Sequence, residues 1–154
     1  MTGIRLRHRF PTHRSDAGER GSAAIEAAVG VPAFALFVGL VIVGGRIAIA
    51  HQAVQTVAAD VARAASIART ADDAQASASQ AMTAGLANQQ LQCAATDLTL
   101  DTAGLASPPG VTGTVTATVS CTVDLADVSV PGVPGAHTVT ATMTSPVDAW
   151  RADP

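Results

Sequence analysis

Lysine and tyrosine are absent from this chain, and three phenylalanines and one tryptophan make up the whole aromatic content, 3% of 154 residues. Without lysine there is no side-chain amine for Schiff-base chemistry. The basic segment has one aromatic residue, Phe10, with none interleaved among its other arginines, and it lies directly before an apolar run, which argues against nucleic acid as a partner. Charge is also scarce at 14%, while 48% of residues are apolar, so this is not an unfolded polar chain. Alanine and threonine supply much of the rest, leaving few large side chains for the core of a large catalytic domain. No glycine-rich phosphate loop, acidic metal cluster or cysteine–histidine array occurs. His8, His13, His51 and His137 have no convincing partner set. Ser120, Asp124 and His137 are the hydrolytic trio that can be named, and their spacing makes no nucleophile elbow. The expectation is a chain that is not an enzyme and carries no cofactor or metal.

What is present is unevenly distributed. All nine basic residues are arginines, and five of them, Arg5, Arg7, Arg9, Arg14 and Arg20, stand in the first 20 residues against Asp16 and Glu19. Beyond Glu26, four arginines face nine aspartates. Between the basic head and the acidic body lie nineteen uncharged residues, Ala27 to Gly45. As a helix at ~1.5 Å per residue they would span ~28 Å, close to the hydrocarbon thickness of a bilayer. No second stretch approaches that length, so the sequence predicts one span. Its orientation follows from the arginines: N-terminus in the cytoplasm, residues from roughly 50 onward outside. Arg46, directly after the span, is expected to snorkel to the outer headgroups. Pro32 lacks an amide donor and is expected to kink or loosen the helix. A cleaved secretory signal is the competing reading, since Ala48-Ile49-Ala50 has small-x-small form. The apolar region is long for such a signal, and Arg46 would lie between it and the cut.

Ahead of the span stands Glu19-Arg20-Gly21-Ser22-Ala23-Ala24-Ile25-Glu26. Read locally, Ser22 caps a helix and Glu26 complements the positive end of its dipole. The same residues resemble the processing site of type IV prepilins: a short basic leader ending in glycine, a mature N-terminus with glutamate fifth, then an apolar helix. The resemblance makes Gly21 the last leader residue, Ser22 the first mature residue and Glu26 the fifth, with a prepilin peptidase as processing partner. Its carboxylate would neutralise a new α-ammonium within a membrane assembly. Ala27 departs from the pattern, because many prepilins carry an aromatic residue there.

Beyond the span, Gly44-Gly45-Arg46 leads into a Gln/Ala-rich stretch ending in Ala62-Arg63-Ala64-Ala65. Together with the Gly-Ser-Ala-Ala-Ile-Glu junction and Pro32 six residues after Glu26, the segment Arg20 to Ser66 resembles the TadE-like family of tight-adherence (Tad) pilus-assembly proteins. That resemblance implies a minor pseudopilin-like membrane protein that helps build or anchor Flp-type pili, with pilin-like or other Tad assembly proteins as partners. Val54, Val57, Val61, Ala65 and Ala68 form an apolar stripe at helical spacing, opposite Gln52, Gln55, Asp60 and Arg63. The simpler expectation is that the stripe packs on the protein's own domain.

The remainder reads as a small α+β domain. Thr70-Ala71-Asp72-Asp73 caps a second helix to about Gln90. Leu98-Thr99-Leu100 reads as a short strand, and 103–113 as a Gly/Pro loop. Val115, Ala117, Val119, Cys121, Val123 and Leu125 alternate with a Thr/Ser face, and a second alternating segment, Thr138 to Thr144, follows Pro131–Gly135. About three short strands would form an antiparallel sheet with its apolar face on the helices. Cys93 and Cys121, the only cysteines, both fall on the side assigned to the outside, where an even pair is more economically a disulfide than a metal site.

The sequence thus divides into a basic leader (1–21), a transmembrane helix continuing as an amphipathic one (22–70) and an outer α+β domain (71–154). Its expected place is the cytoplasmic membrane, in contact with the lipid bilayer. The alternative function is a membrane-tethered binding module unrelated to pili.

Overall fold

A computed structural model describes residues 17–128 and 131–150. The chain runs α1 (Ala17–Ile67), α2 (Ala71–Asn88), β1 (Cys93–Asp101), a 3₁₀ turn η1 (Ala103–Ala106), β2 (Thr114–Asp124), a second 3₁₀ turn η2 (Ala126–Val128) and β3 (Ala136–Pro146). This is the α+β architecture expected: a long N-terminal helix, a second helix and a three-stranded antiparallel sheet in the order β1-β2-β3. Two compact units divide after Phe37.

The first unit holds the start of α1. Ile25, Val29, Val31, Phe34 and Phe37 are each more than 60% exposed, an apolar surface of the kind that marks a protein or membrane contact. α1 continues through Pro32. A proline removes one helical hydrogen bond, and the flanking alanine, valine and leucine residues, all helix-compatible, carry the helix across it.

The second unit, from Val38 onward, carries the core. α1 contributes Val54, Val57, Val61 and Ala65, all fully buried, and α2 contributes Ala74, Ala78 and Leu86. They meet Val115, Ala117, Val119 and Cys121 of β2 and Val139 and Ala141 of β3. The stripe on α1 therefore packs on its own domain. Two contacts fix how α1 lies on the sheet. Arg46 reaches Asp127, just beyond the end of β2, and Ser66 Oγ pairs with Ser145 Oγ at 3.0 Å, where Ser145 is the register partner of Val115. Twenty helical residues cover ~30 Å, as do the nine strand steps from Val115 to Asp124. α1 thus runs along the sheet, opposite in direction to β2.

α2 begins where its cap places it: the Thr70 hydroxyl accepts the Asp73 N–H at 3.1 Å, with Asp72 and Asp73 against the positive helix end. β1 is longer than the Leu98–Leu100 expected, spanning nine residues from Cys93. The extra residues show little alternation because Ala94–Asp97 are exposed, and a register shift lies between Cys93 and Ala95. Pairing with β2, rather than burial, makes them a strand. Each strand leaves the sheet through an aspartate. Asp101, Asp124 and Asp148 side chains accept the backbone N–H two residues on, at 3.0, 2.8 and 2.9 Å. Much of the acidic body is therefore turn chemistry.

Candidate functional site

The first functional region is the junction and the apolar helix it opens. Gly21 and Ser22 fall within the bounds of α1, and their side chains lie outside the described residues, as do residues 1–16 of the basic leader. Glu26 is exposed on the helix, followed by an apolar surface that the protein itself does not cover. Among the described residues one helix is long and apolar enough to cross a membrane, with only 6% of its most apolar window buried. That low burial separates it from the core helix of a soluble domain. A Cβ added at Gly30, Gly44 or Gly45 would meet nothing within 4 Å, so these positions leave backbone open to a close neighbour.

The second region lies where the apolar run ends. Arg46 donates from one guanidinium nitrogen to both carboxylate oxygens of Asp127 at 2.7 Å. The pair is solvent-accessible, with side-chain exposures of 45% and 61%. The charge of Arg46 is answered from within the chain, from a residue 81 positions away. The hydrogen bond from Arg46 is the main cause holding the Asp127 carboxyl below its ordinary value; desolvation opposes it, and the guanidinium's charge and backbone N–H donors lower it further. Sequence reasoning missed Asp127 because nothing in its neighbourhood marks a partner so distant.

The third feature is the Cys93–Cys121 disulfide, spanning 28 residues with Cα atoms 5.4 Å apart. Cys121 is fully buried in the core face of β2, so the bridge ties the chain just after α2 to the central strand. Ser120, Asp124 and His137 are not brought together. Ser120 and Asp124 share one face of β2, four residues and ~13 Å apart, whereas His137 is the register partner of Val123 and stands on the other face. Among the described residues no group of three or more His, Cys, Asp or Glu side chains could hold a metal ion. The face bearing Ser120 is a hydroxyl ladder, with Thr118–Thr142 and Thr122–Thr138 pairs at 2.9 Å.

Fold and site together define a class: an α+β domain stapled by a disulfide and carried on one candidate membrane helix near the N-terminus. Residues 21–63 match the model of the family described as TadE-like protein, the family that the junction, the span and the Gln/Ala-rich helix resemble. The match covers 43 of the 154 residues. No match was found among curated proteins or among solved structures.

Proposed function

We propose that this protein is a membrane-anchored, pseudopilin-like subunit that contributes to the assembly or anchoring of Flp/Tad-type pili. In this reading it is not an enzyme, its N-terminus faces the cytoplasm, and the domain from residue 71 onward stands outside the cytoplasmic membrane. The observation that carries the reading is the coincidence of the family match over residues 21–63 with a helix whose apolar surface is left uncovered by its own domain.

The mechanism follows from the residues. A prepilin peptidase cuts between Gly21 and Ser22, removing the arginine-rich leader and exposing an α-ammonium at Ser22. Glu26, one turn further along the helix, offers a carboxylate to that ammonium on its own or a neighbouring subunit, at a depth where an unpaired charge is costly. The open glycine positions and the small side chains of the span then allow neighbouring helices to approach. The α1 stripe is used by the domain's own core, so assembly contacts fall to the span.

The test is copurification of pilus components with the full chain from native membranes, comparing wild type with Glu26→Ala and Glu26→Gln. We expect both variants to reach the membrane and to lose partners, because neither can neutralise an ammonium. Undiminished partners with both variants would contradict the role given to Glu26. Wild-type protein that brings down no pilus component, and is monomeric in detergent, would favour the tethered binding module instead.

A further inference from the structure

A cleft of about 510 Å³ opens beside the Arg46–Asp127 pair, lined by Arg46, Gln90, Leu91, Gln92, Asp124 and Asp127 among its residues. Its location and its chemistry are both unusual. Arg46 is the first residue after the uncharged run that ends at Gly45, so on the membrane-anchor reading, on which this inference rests, the cleft opens at the headgroup layer of the outer leaflet. It offers both signs of charge within one opening. Arg46 commits one guanidinium nitrogen to Asp127, and a guanidinium has two further nitrogens that donate. Asp124 accepts a backbone N–H on one carboxylate oxygen, and its other oxygen has no partner among the described residues. Gln90 and Gln92 add neutral donors and acceptors.

We propose that this cleft binds the headgroup of a zwitterionic phospholipid bearing a primary ammonium, of the phosphoethanolamine type. The phosphate is taken by Arg46, and the ammonium by Asp124 and the outward side of Asp127. The lining decides between headgroups. Two aspartates against one arginine make it net acidic, which disfavours a purely anionic headgroup, while Arg46 disfavours a purely cationic one. A quaternary ammonium has no N–H to donate to the carboxylates, and the lining has no aromatic ring to receive it instead. A primary ammonium donates three hydrogen bonds to acceptors of the opposite charge. Such a site would hold the domain against the bilayer at the level where the span ends.

The experiment uses the full chain in nanodiscs containing equal amounts of phosphatidylethanolamine, phosphatidylcholine and phosphatidylglycerol, with the lipids retained on the protein counted by native mass spectrometry. Carbonate extraction of the same preparations establishes separately whether the chain is integrated. For integrated wild type we expect ethanolamine lipid to be enriched roughly fivefold to tenfold over the mixing ratio, about the effect of one charge-assisted hydrogen bond. Asp124→Asn combined with Asp127→Asn should return retention to the mixing ratio, and Arg46→Gln should reduce it. Indiscriminate retention by integrated wild type, or enrichment unchanged in the variants, overturns the inference while leaving the anchor intact. Wild type that carbonate extracts overturns the anchor reading itself. Displacement of retained lipid by an equal concentration of free phosphoethanolamine would assign the site to a soluble zwitterion and overturn the lipid source.

Discussion

Arg46 and Asp127 illustrate how a single pair can be more informative about location than about stability. Both side chains are accessible to solvent, where an ion pair is screened and contributes little. Its titration is still measurable. The depressed value at Asp127 means that whatever the pair contributes is present above the ordinary aspartate range and is lost as pH falls through the lowered one. In a carboxyl-carbon NMR titration we expect Asp127 to titrate below the ordinary aspartate value in wild type and to move back towards it in Arg46→Gln. An unshifted Asp127 in wild type would contradict the Arg46–Asp127 pair. At the same scale, Gly104 and Gly113 are positions where only glycine fits. A Cβ at Gly104 would run into the Thr114 backbone, and one at Gly113 into the Gly104 carbonyl. Gly104→Ala should therefore destabilise the domain by about 2 kcal/mol or more, read as a lowered denaturation midpoint. Gly132, at φ +85° with open space around it, should show only the milder strain of its backbone.

Among the elements, the strongest signals in the sequence were those with a repeating pattern. β2 alternates because one face is core and the other solvent, so its direction was readable residue by residue. The Thr70 cap and the α1 stripe were equally legible, since caps and helical stripes are local. β1 was only partly so. It is an edge strand whose first half is exposed, and exposure removes the alternation on which reading a strand depends. The Arg46–Asp127 contact was not legible at all, because tertiary placement over 81 positions leaves no local trace. The disulfide lies between these cases: compartment and count pointed to the pair, and the fold supplies the reason, bringing the chain after α2 across to the buried middle of β2. Closing a 28-residue loop should stabilise the domain by roughly 3 kcal/mol. Calorimetry with and without reductant should show that loss in wild type, and Cys93→Ser with Cys121→Ser should match the reduced protein. A melting point indifferent to reductant would mean that the bridge constrains nothing.

For the molecule as a whole, the division of labour is plain in where apolar surface is covered and where it is not. The part of α1 from Val54 to Ala65 spends its apolar stripe on α2 and the sheet, while Ile25 to Phe37 leaves its large side chains open. The core is built from the sheet, both helices and the disulfide, and the open apolar part of α1 is, on the proposed function, covered by lipid and other pilin-like helices. The family match covers the open segment and the first part of the covered one, residues 21–63. The sheet lies beyond it, and its role rests on its own geometry.

The measurement that bears most directly on this account is the intact mass and N-terminal sequence of the protein purified from its native membrane without reduction. The account predicts a chain beginning at Ser22 and two mass units lighter than the fully reduced form, joining prepilin-type processing to the Cys93–Cys121 bridge in one sample. A chain that keeps residues 1–21 would contradict processing and leave a plain anchor. One that begins at His51 would contradict the membrane reading altogether.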